Sequence, residues 1–319
     1  MGKKNLLLHI QSKVGSIDLK GRFEDLEKFR IPTGILAIDR VLGGGIPAGK
    51  LTELYGDYSS GKSRISGHIL AETQKLGGIA ALLDTERSLD KGLVELTGID
   101  SGLLVYPEPS KKLVTIESVF ETIQEIMDLR QADPDCLLTI VWDSVASTPG
   151  MEDLENALGA NTASMRRAKV ISDGLKKIMA EVYRSKTVLI FINQIRDKIG
   201  VLYGEKTDTV GGKALKFAAS VRLHCRLAGK IKDPKSEEQI GGKGVLVVEK
   251  SKVGKPFGMV RFEMMTDKPI DRYSGYLEYL ARHGDVVNEG RGWFRFPDEK
   301  KNFREVDFPE AFERRRAEK

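Results

Sequence analysis

The 319-residue sequence predicts an α/β fold: a mostly parallel sheet with helices on both faces and an antiparallel edge, plus a short amino-terminal arm and a small carboxy-terminal module. Three observations lead there. β-Branched or continuously apolar stretches recur at residues 51–55, 79–84, 137–143, 187–193, 220–227 and 244–248, with helical patterns between the early ones. The last two are joined by a Lys- and Gly-rich connection, 229–243, which suits an antiparallel hairpin at the sheet edge. A glycine-rich loop, Gly56-Asp57-Tyr58-Ser59-Ser60-Gly61-Lys62-Ser63, links the first strand to a helix.

In chain order, residues 1–30 hold a short apolar segment, 6–14, and a mixed-charge stretch, 24–30, too little for a core of their own. Such an arm is expected to dock elsewhere, with plain disorder as the alternative. The helix after the glycine-rich loop carries Ile65, Ile69 and Leu76 at near-helical spacing until Gly77 and Gly78 stop it. Residues 31–265 form the core, and 266–319 the small carboxy-terminal module. There the strand pattern breaks at 267–271, a short helix is expected at 274–282, and Gly290-Arg291-Gly292-Trp293-Phe294 follows.

Composition sets limits. No stretch approaches the roughly eighteen uninterrupted apolar residues of a membrane span, and Met1-Gly2-Lys3-Lys4 leads only into Leu6-Leu7-Leu8, which predicts no membrane contact and no secretory signal. Cys136 and Cys225 fall in apolar strand-like runs, and four scattered histidines offer no metal spacing, so a reducing, cytoplasmic setting without structural zinc is expected. The net charge of +5 does not by itself prove nucleic-acid binding. Its distribution is more pointed: cations cluster at Arg166-Arg167-Lys169, at Lys250-Ser251-Lys252 and at Arg314-Arg315-Arg316. Each cluster also fits a solvated helix face, and the last reads as a frayed tail.

The glycine-rich loop matches G-x-x-x-x-G-K-[ST] without mismatch. Gly56 through Ser63 are therefore expected to cradle the phosphates of a nucleoside triphosphate, ATP, with backbone N–H groups turned inward and the following helix dipole behind them. Lys62 would neutralise the terminal phosphates, and the Ser63 hydroxyl would ligate Mg²⁺. Glu86 lies just past a strand end in Asp84-Thr85-Glu86, where a carboxylate would orient the water that attacks the γ-phosphate; a surface glutamate opening a loop is the alternative. Asp143 ends the apolar strand before Ser144 and would hold the Mg²⁺ shell. Gln194 ends another strand in an amide, suited either to sensing the γ-phosphate or to satisfying strand-end backbone.

The run from Phe191-Ile192-Asn193-Gln194-Ile195-Arg196-Asp197-Lys198-Ile199-Gly200 on to Tyr203-Gly204, and then Gly211-Gly212-Lys213-Ala214-Leu215-Lys216-Phe217-Ala218-Ala219-Ser220-Val221-Arg222, closely resembles the RecA family of DNA strand-exchange recombinases. Ile31-Pro32-Thr33-Gly34, the phosphate loop, Asp84-Thr85-Glu86 and Trp142-Asp143-Ser144 are similar to it in the same order, over about residues 31–265.

This resemblance implies a RecA-type P-loop ATPase core that polymerises on single-stranded DNA as a helical homo-filament, with ATP between neighbouring copies and the arm packed on the adjacent protomer. It also implies capture of duplex DNA and, as further partners, a single-strand-binding protein and a loading mediator, in a bacterial or phage-infected cytoplasm. Two DNA loops are expected near 152–165 and 195–209, suited to contacting phosphates without reading sequence. The resemblance carries DNA contact to Arg166, Arg167, Lys169, Arg196, Lys198, Gly211, Gly212, Lys213, Lys216 and Arg222, with Ile199 or Tyr203 against bases; an internal salt bridge is the other reading of Arg222. Lys250 and Lys252 resemble the pair that reaches a neighbour's ATP, and Asp90 would reach the adenine amine.

Departures are Leu93 at the adenine-stacking position, Asp197 inside the second loop, and a basic rather than acidic end. The run Ile270-Asp271-Arg272-Tyr273 with Gly292-Trp293-Phe294 is similar to the bacteriophage UvsX-like branch. The implied function is an ATP-dependent homologous recombinase and DNA-dependent ATPase. A ring-forming helicase sharing the fold, or a regulatory paralogue without turnover, is the alternative.

Overall fold

A computed structural model describes residue 13, residues 29–155, 163–197 and 207–318. Its elements run β1 (Arg30–Ile31), α1 (Leu36–Val41), β2 (Ile46–Pro47), β3 (Lys50–Gly56), α2 (Lys62–Lys75), β4 (Ile79–Asp84), α3 (Lys91–Thr97), β5 (Leu104–Val105), α4 (Pro109–Lys112), α5 (Ile116–Arg130), β6 (Leu138–Asp143) and α6 (Met151–Glu155). Then follow α7 (Ala163–Ser185), β7 (Val188–Asp197), β8 (Thr207–Thr209), α8 (Gly212–Ala218), β9 (Val221–Lys232), β10 (Gln239–Ser251), β11 (Met259–Met265), α9 (Tyr276–Arg282), β12 (Val287–Gly290), β13 (Trp293–Arg295), β14 (Asn302–Arg304) and α10 (Phe308–Ala317).

The central sheet has nine strands in the order β11-β10-β9-β3-β7-β6-β4-β5, with β8 paired to β7. From β9 to β5 the neighbours are parallel, while β10 and β11 add an antiparallel edge, so the mixed α/β architecture is as the sequence implies. The continuous apolar strands reflect burial on both faces. One face packs Ile65, Ile69 and Leu70 of α2 with residues of α1 and of the carboxy-terminal segment. The other packs two helical stripes, Ile116, Val119, Phe120, Ile123 and Met127 of α5 against Ile171, Leu175, Ile178 and Val182 of α7. Trp142 is fully buried between Phe120 and Phe191, edge-on to both. α5 starts where Thr115 and Ser118 form a reciprocal cap.

Several expectations are corrected. The connection 229–243 is mostly strand: β9 and β10 pair from Gln239↔Lys232 onward, so only a short turn separates them. β11 was missed; its alternating burial is carried by Val260, Phe262 and Met264 among exposed charges. The expected 274–282 helix begins at Tyr276, because Gly275 before it is in the left-handed region at φ 70°; Ser274 Oγ accepts from the Glu263 N–H. Cys136 lies before β6 rather than in it. The terminal arginines are no frayed tail: they lie on α10, where Arg315 contacts both Asp298 carboxylate oxygens and stacks over Phe296. Residues 287–304 form a separate three-stranded sheet, β12-β13-β14. Among the described residues no helix is long and apolar enough to cross a membrane. Nearly all of the arm, 1–30, lies outside the described residues.

Candidate nucleotide and DNA site

β3, β7, β6 and β4 are consecutive in the sheet and parallel, so their carboxyl ends lie side by side. That end of an open parallel sheet is where ligands gather. The phosphate loop leaves β3 there. Gly56 has φ 155° and Gly61 φ 92°, and a Cβ at these positions would lie 1.9 Å from the Cys225 carbonyl oxygen and 2.4 Å from Met264 Sδ. Glycine is therefore required for the loop to fold into a cradle against β9 and β11. Lys62 opens α2 and is buried, its Nζ donating to the carbonyls of Gly56 at 3.0 Å and Asp57 at 2.6 Å. Burial pulls its ammonium below the usual lysine value, against the pull of Asp143, Glu86 and Asp57.

Ser63 Oγ donates to Asp143 Oδ2 at 2.7 Å. Two oxygen ligands thus meet at the mouth of the cradle, a donor set that fits Mg²⁺. Burial first, then Glu86 and Asp84, push the Asp143 carboxyl up to about 7, although the Ser63 hydrogen bond works against them. Glu86 is exposed just beyond β4; its Oε1 accepts from Ser144 Oγ and, at 2.8 Å, from Gln194 Nε2. Thr85 ties the β4 and β6 ends together, bonding the Asp143 and Ser144 carbonyls and the Ser144 N–H. Sequence reasoning missed this hydroxyl cluster. Its only linear trace is Asp143-Ser144 followed by Ser147-Thr148.

Asp90 caps α3, its Oδ1 accepting from the Leu93 N–H at 2.7 Å. Lys250 and Lys252 reach, within this chain, the carbonyls ending α8: Lys250 Nζ lies 2.5 Å from the Lys216 oxygen and Lys252 Nζ 3.1 Å from the Phe217 oxygen. Cations at a helix carboxyl end are well placed electrostatically.

The expected DNA loops lie beyond β6 and from the end of β7 onward, two neighbouring strands of the sheet. Lys198, Ile199 and Tyr203 lie outside the described residues, as do 156–162. Arg196 is exposed, with one long bond to the Ala146 carbonyl. Gly211 and Gly212, at φ 97° and 60°, start α8 close against α7, where a Cβ on Gly212 would come within 3.3 Å of Ala168. This contact brings exposed Lys169 and Lys213 to a common region. Lys216 pairs with Asp208 at 2.8 Å. Arg166 and Arg167 are partly buried and ion-paired: both pair with Asp153, Arg167 at 2.6 Å, and Arg166 also meets Glu152.

Arg222 takes the internal salt-bridge reading of the two that the sequence offers. It is buried against Glu53 at 2.6 Å, with Glu249 at 3.5 Å and the Tyr55 ring beneath it. Glu53, fully buried, also accepts from Asn193 Nδ2. A glutamate in an otherwise apolar strand was the signal that could have revealed this.

The chain matches the family described as the RecA N-terminal domain over residues 7–271. It is 37% identical over 285 residues to Protein RecA of Gloeothece citriformis, covering 89% of this chain and 77% of that one. It is 38% identical over 273 residues to Protein RecA of Chlorobium limicola, covering 85% and 74%, and 35% identical over 300 residues to that of Rhodopirellula baltica, covering 93% and 76%. By the family match over residues 7–271 and these identities over most of its length, the chain belongs to the RecA family.

Proposed function

We propose that the chain is an ATP-dependent homologous recombinase that polymerises on single-stranded DNA, captures duplex DNA and promotes pairing and strand exchange. The observation that supports this reading is the adjacency of β3, β7, β6 and β4, which brings the glycine-rich loop, Glu86, Asp143 and the chain leaving β6 and β7 to one sheet end. In it, Lys62 and the loop from Gly56 to Ser63 hold the phosphates, and Ser63 and Asp143 hold Mg²⁺. When bound, Mg²⁺ supplies positive charge to the phosphate oxygens. Glu86 orients the attacking water, and Gln194 reports on the terminal phosphate to the segment that follows it. Lys250 and Lys252 of one copy approach the nucleotide of the next, giving up their helix carbonyls, so that hydrolysis depends on assembly. Residues 1–30 pack on the adjacent protomer, head to tail, in an interface that does not close. The carboxy-terminal module spans 266–319.

The deciding experiment is strand exchange between homologous and unrelated DNAs with and without ATP, with Glu86→Gln as a turnover control. Homology-dependent, ATP-dependent exchange supports the proposal. Unwinding without homology would favour a ring helicase, and DNA binding without turnover a regulatory paralogue.

Two further outcomes are expected. Because the folded state raises the Asp143 pKa, the stability this group gives the nucleotide-free protein is present at low pH and is lost as pH rises from 3.8 through about 7. Magnesium requires the ionised form, so the Mg²⁺·ATP-induced rise in Tm should be small at about pH 6 and fully developed at about pH 8. Differential scanning fluorimetry checks this, and Asp143→Asn should flatten the profile.

On DNA, Asp153 competes with phosphates for Arg166 and Arg167. Asp153→Asn should therefore raise affinity for an oligonucleotide at low salt and steepen the slope of log K against log salt by about one, whereas Arg196→Ala should weaken binding and flatten it by about one. Fluorescence anisotropy across a salt series separates them; weaker binding by Asp153→Asn would mean the aspartate merely positions the arginines.

A further inference from the structure

Tyr58 occupies the second variable position of the phosphate loop, where the template asks for no particular side chain. It is 77% exposed, so core packing does not account for a large aromatic there. Its hydroxyl instead donates to Gln194 Oε1 at 3.0 Å. The same amide donates through Nε2 to Glu86 Oε1 at 2.8 Å. An amide has one acceptor end and one donor end: the Glu86 carboxylate can only accept and so takes the NH₂ end, and the Tyr58 O–H holds the oxygen on the opposite side. With Tyr58 on the oxygen, the NH₂ points at Glu86.

This geometry has a chemical consequence. Glu86 Oε1 already accepts from Ser144 Oγ, and the Gln194 amide adds a second donor to the same oxygen. One carboxylate oxygen thereby takes both donors, and the amide needed at the γ-phosphate is turned away from it. Both groups rest satisfied by each other. The hydroxyl that sets this arrangement belongs to the phosphate loop, whose backbone is pinned beside it by Lys62 on the Asp57 carbonyl and Ser60 Oγ on the same oxygen. Gln194 is followed in β7 by Ile195 and Arg196, paired with Thr209 and Asp208 of β8, so force on Arg196 is delivered two residues from the amide.

We propose that Tyr58 is a positioning residue whose hydroxyl latches Gln194 onto Glu86, holding ATP turnover low until DNA engages Arg196, two residues along β7. The proposal deepens the nucleotide-site reading above and rests on it. Tyr58 touches neither water nor phosphate in this role; it acts through Gln194.

The test is Tyr58→Phe, which removes the hydroxyl and keeps the ring, in the full-length chain. A single neutral hydrogen bond is worth about 0.5–1.5 kcal/mol, or roughly a two- to tenfold change in a population or rate. The ratio of DNA-saturated to DNA-free ATP turnover is therefore expected to fall about two- to tenfold, through a rise in the DNA-free rate. In a Gln194→Ala background the same substitution should leave that ratio where Gln194→Ala alone puts it, since the latch has lost its target. A ratio equal to that of the unsubstituted protein overturns the latch, because a purely structural role would move both rates together. So does an undiminished effect in the Gln194→Ala background. Failure of the underlying site is read separately: if Lys62→Ala keeps normal ATP turnover, the nucleotide site is misassigned whatever Tyr58→Phe does.

Discussion

Replacing Lys62 by alanine should abolish nucleotide-dependent filament formation while leaving a folded protein. The ammonium is held by two backbone carbonyls inside a buried pocket, among Asp143, Glu86 and Asp57. Carbonyls satisfy its hydrogen bonds but not its charge, so an arriving triphosphate gains a desolvated cation already in place. Removing one member of such a buried charge contact costs about 2–5 kcal/mol in binding, which raises Kd by roughly one and a half to three and a half orders of magnitude. Ligand at a hundredfold excess over Kd stabilises a protein by about 2.7 kcal/mol, and most of that should vanish in Lys62→Ala at matched ATP. The nucleotide-free variant should itself lose only about 1–3 kcal/mol, the cost of leaving the Gly56 and Asp57 carbonyls without their donor. Thermal unfolding with and without Mg²⁺·ATP gives both quantities. Electron microscopy with an oligonucleotide and a non-cleavable analogue gives assembly; filaments of normal length from Lys62→Ala would refute the assignment.

What could be read from residues alone, and what could not, divides along a physical line. The loop's fold was legible because its signal is contiguous: Gly56, Gly61, Lys62 and Ser63 lie within one short stretch of chain, and strand before and helix after are local patterns. Glu86 and Asp143 were legible as acids just past or at strand ends, and parallel pairing of β4 with β6 sets Asp84 beside Asp143. Partner choice was not legible. Arg166, Arg167 and Lys216 look alike as cations in a sequence, yet Asp153 and Asp208 hold them, because an ion pair is decided by which elements meet. The terminal arginines were misread for the same reason: Asp298 and Glu299 lie more than a dozen residues away and order them on α10. The extension of β9 and β10 escaped because Lys and Gly are poor strand formers whose pairing, here, is enforced by β11 on the far side.

Truncating Arg222 should be the most damaging single change to the core outside the nucleotide site. Burial alone would pull its guanidinium down, and Glu53, with Tyr55 and Glu249, more than reverses that. Glu53 has no exposure and three commitments: Arg222 Nε at 2.6 Å on one oxygen, Asn193 Nδ2 at 3.0 Å on the other, and through Asn193 the Val210 carbonyl that precedes α8. Arg222→Ala would leave that carboxylate charged and buried with only an amide to satisfy it, at a cost of about 3–5 kcal/mol. The joint replacement Glu53→Leu with Arg222→Met removes both charges and should be far milder, since two desolvation penalties disappear with the attraction they oppose. Urea unfolding midpoints of the two variants, at unchanged m-value, test the asymmetry. The milder variant should nonetheless lose DNA stimulation of ATP turnover, because Asn193 also accepts from the Gln194 N–H and would no longer be fixed between β3 and α8. If Arg222→Ala unfolds no more easily than the double variant, the buried pair is not what seats Asn193, and the strand carrying Gln194 must be held by packing alone.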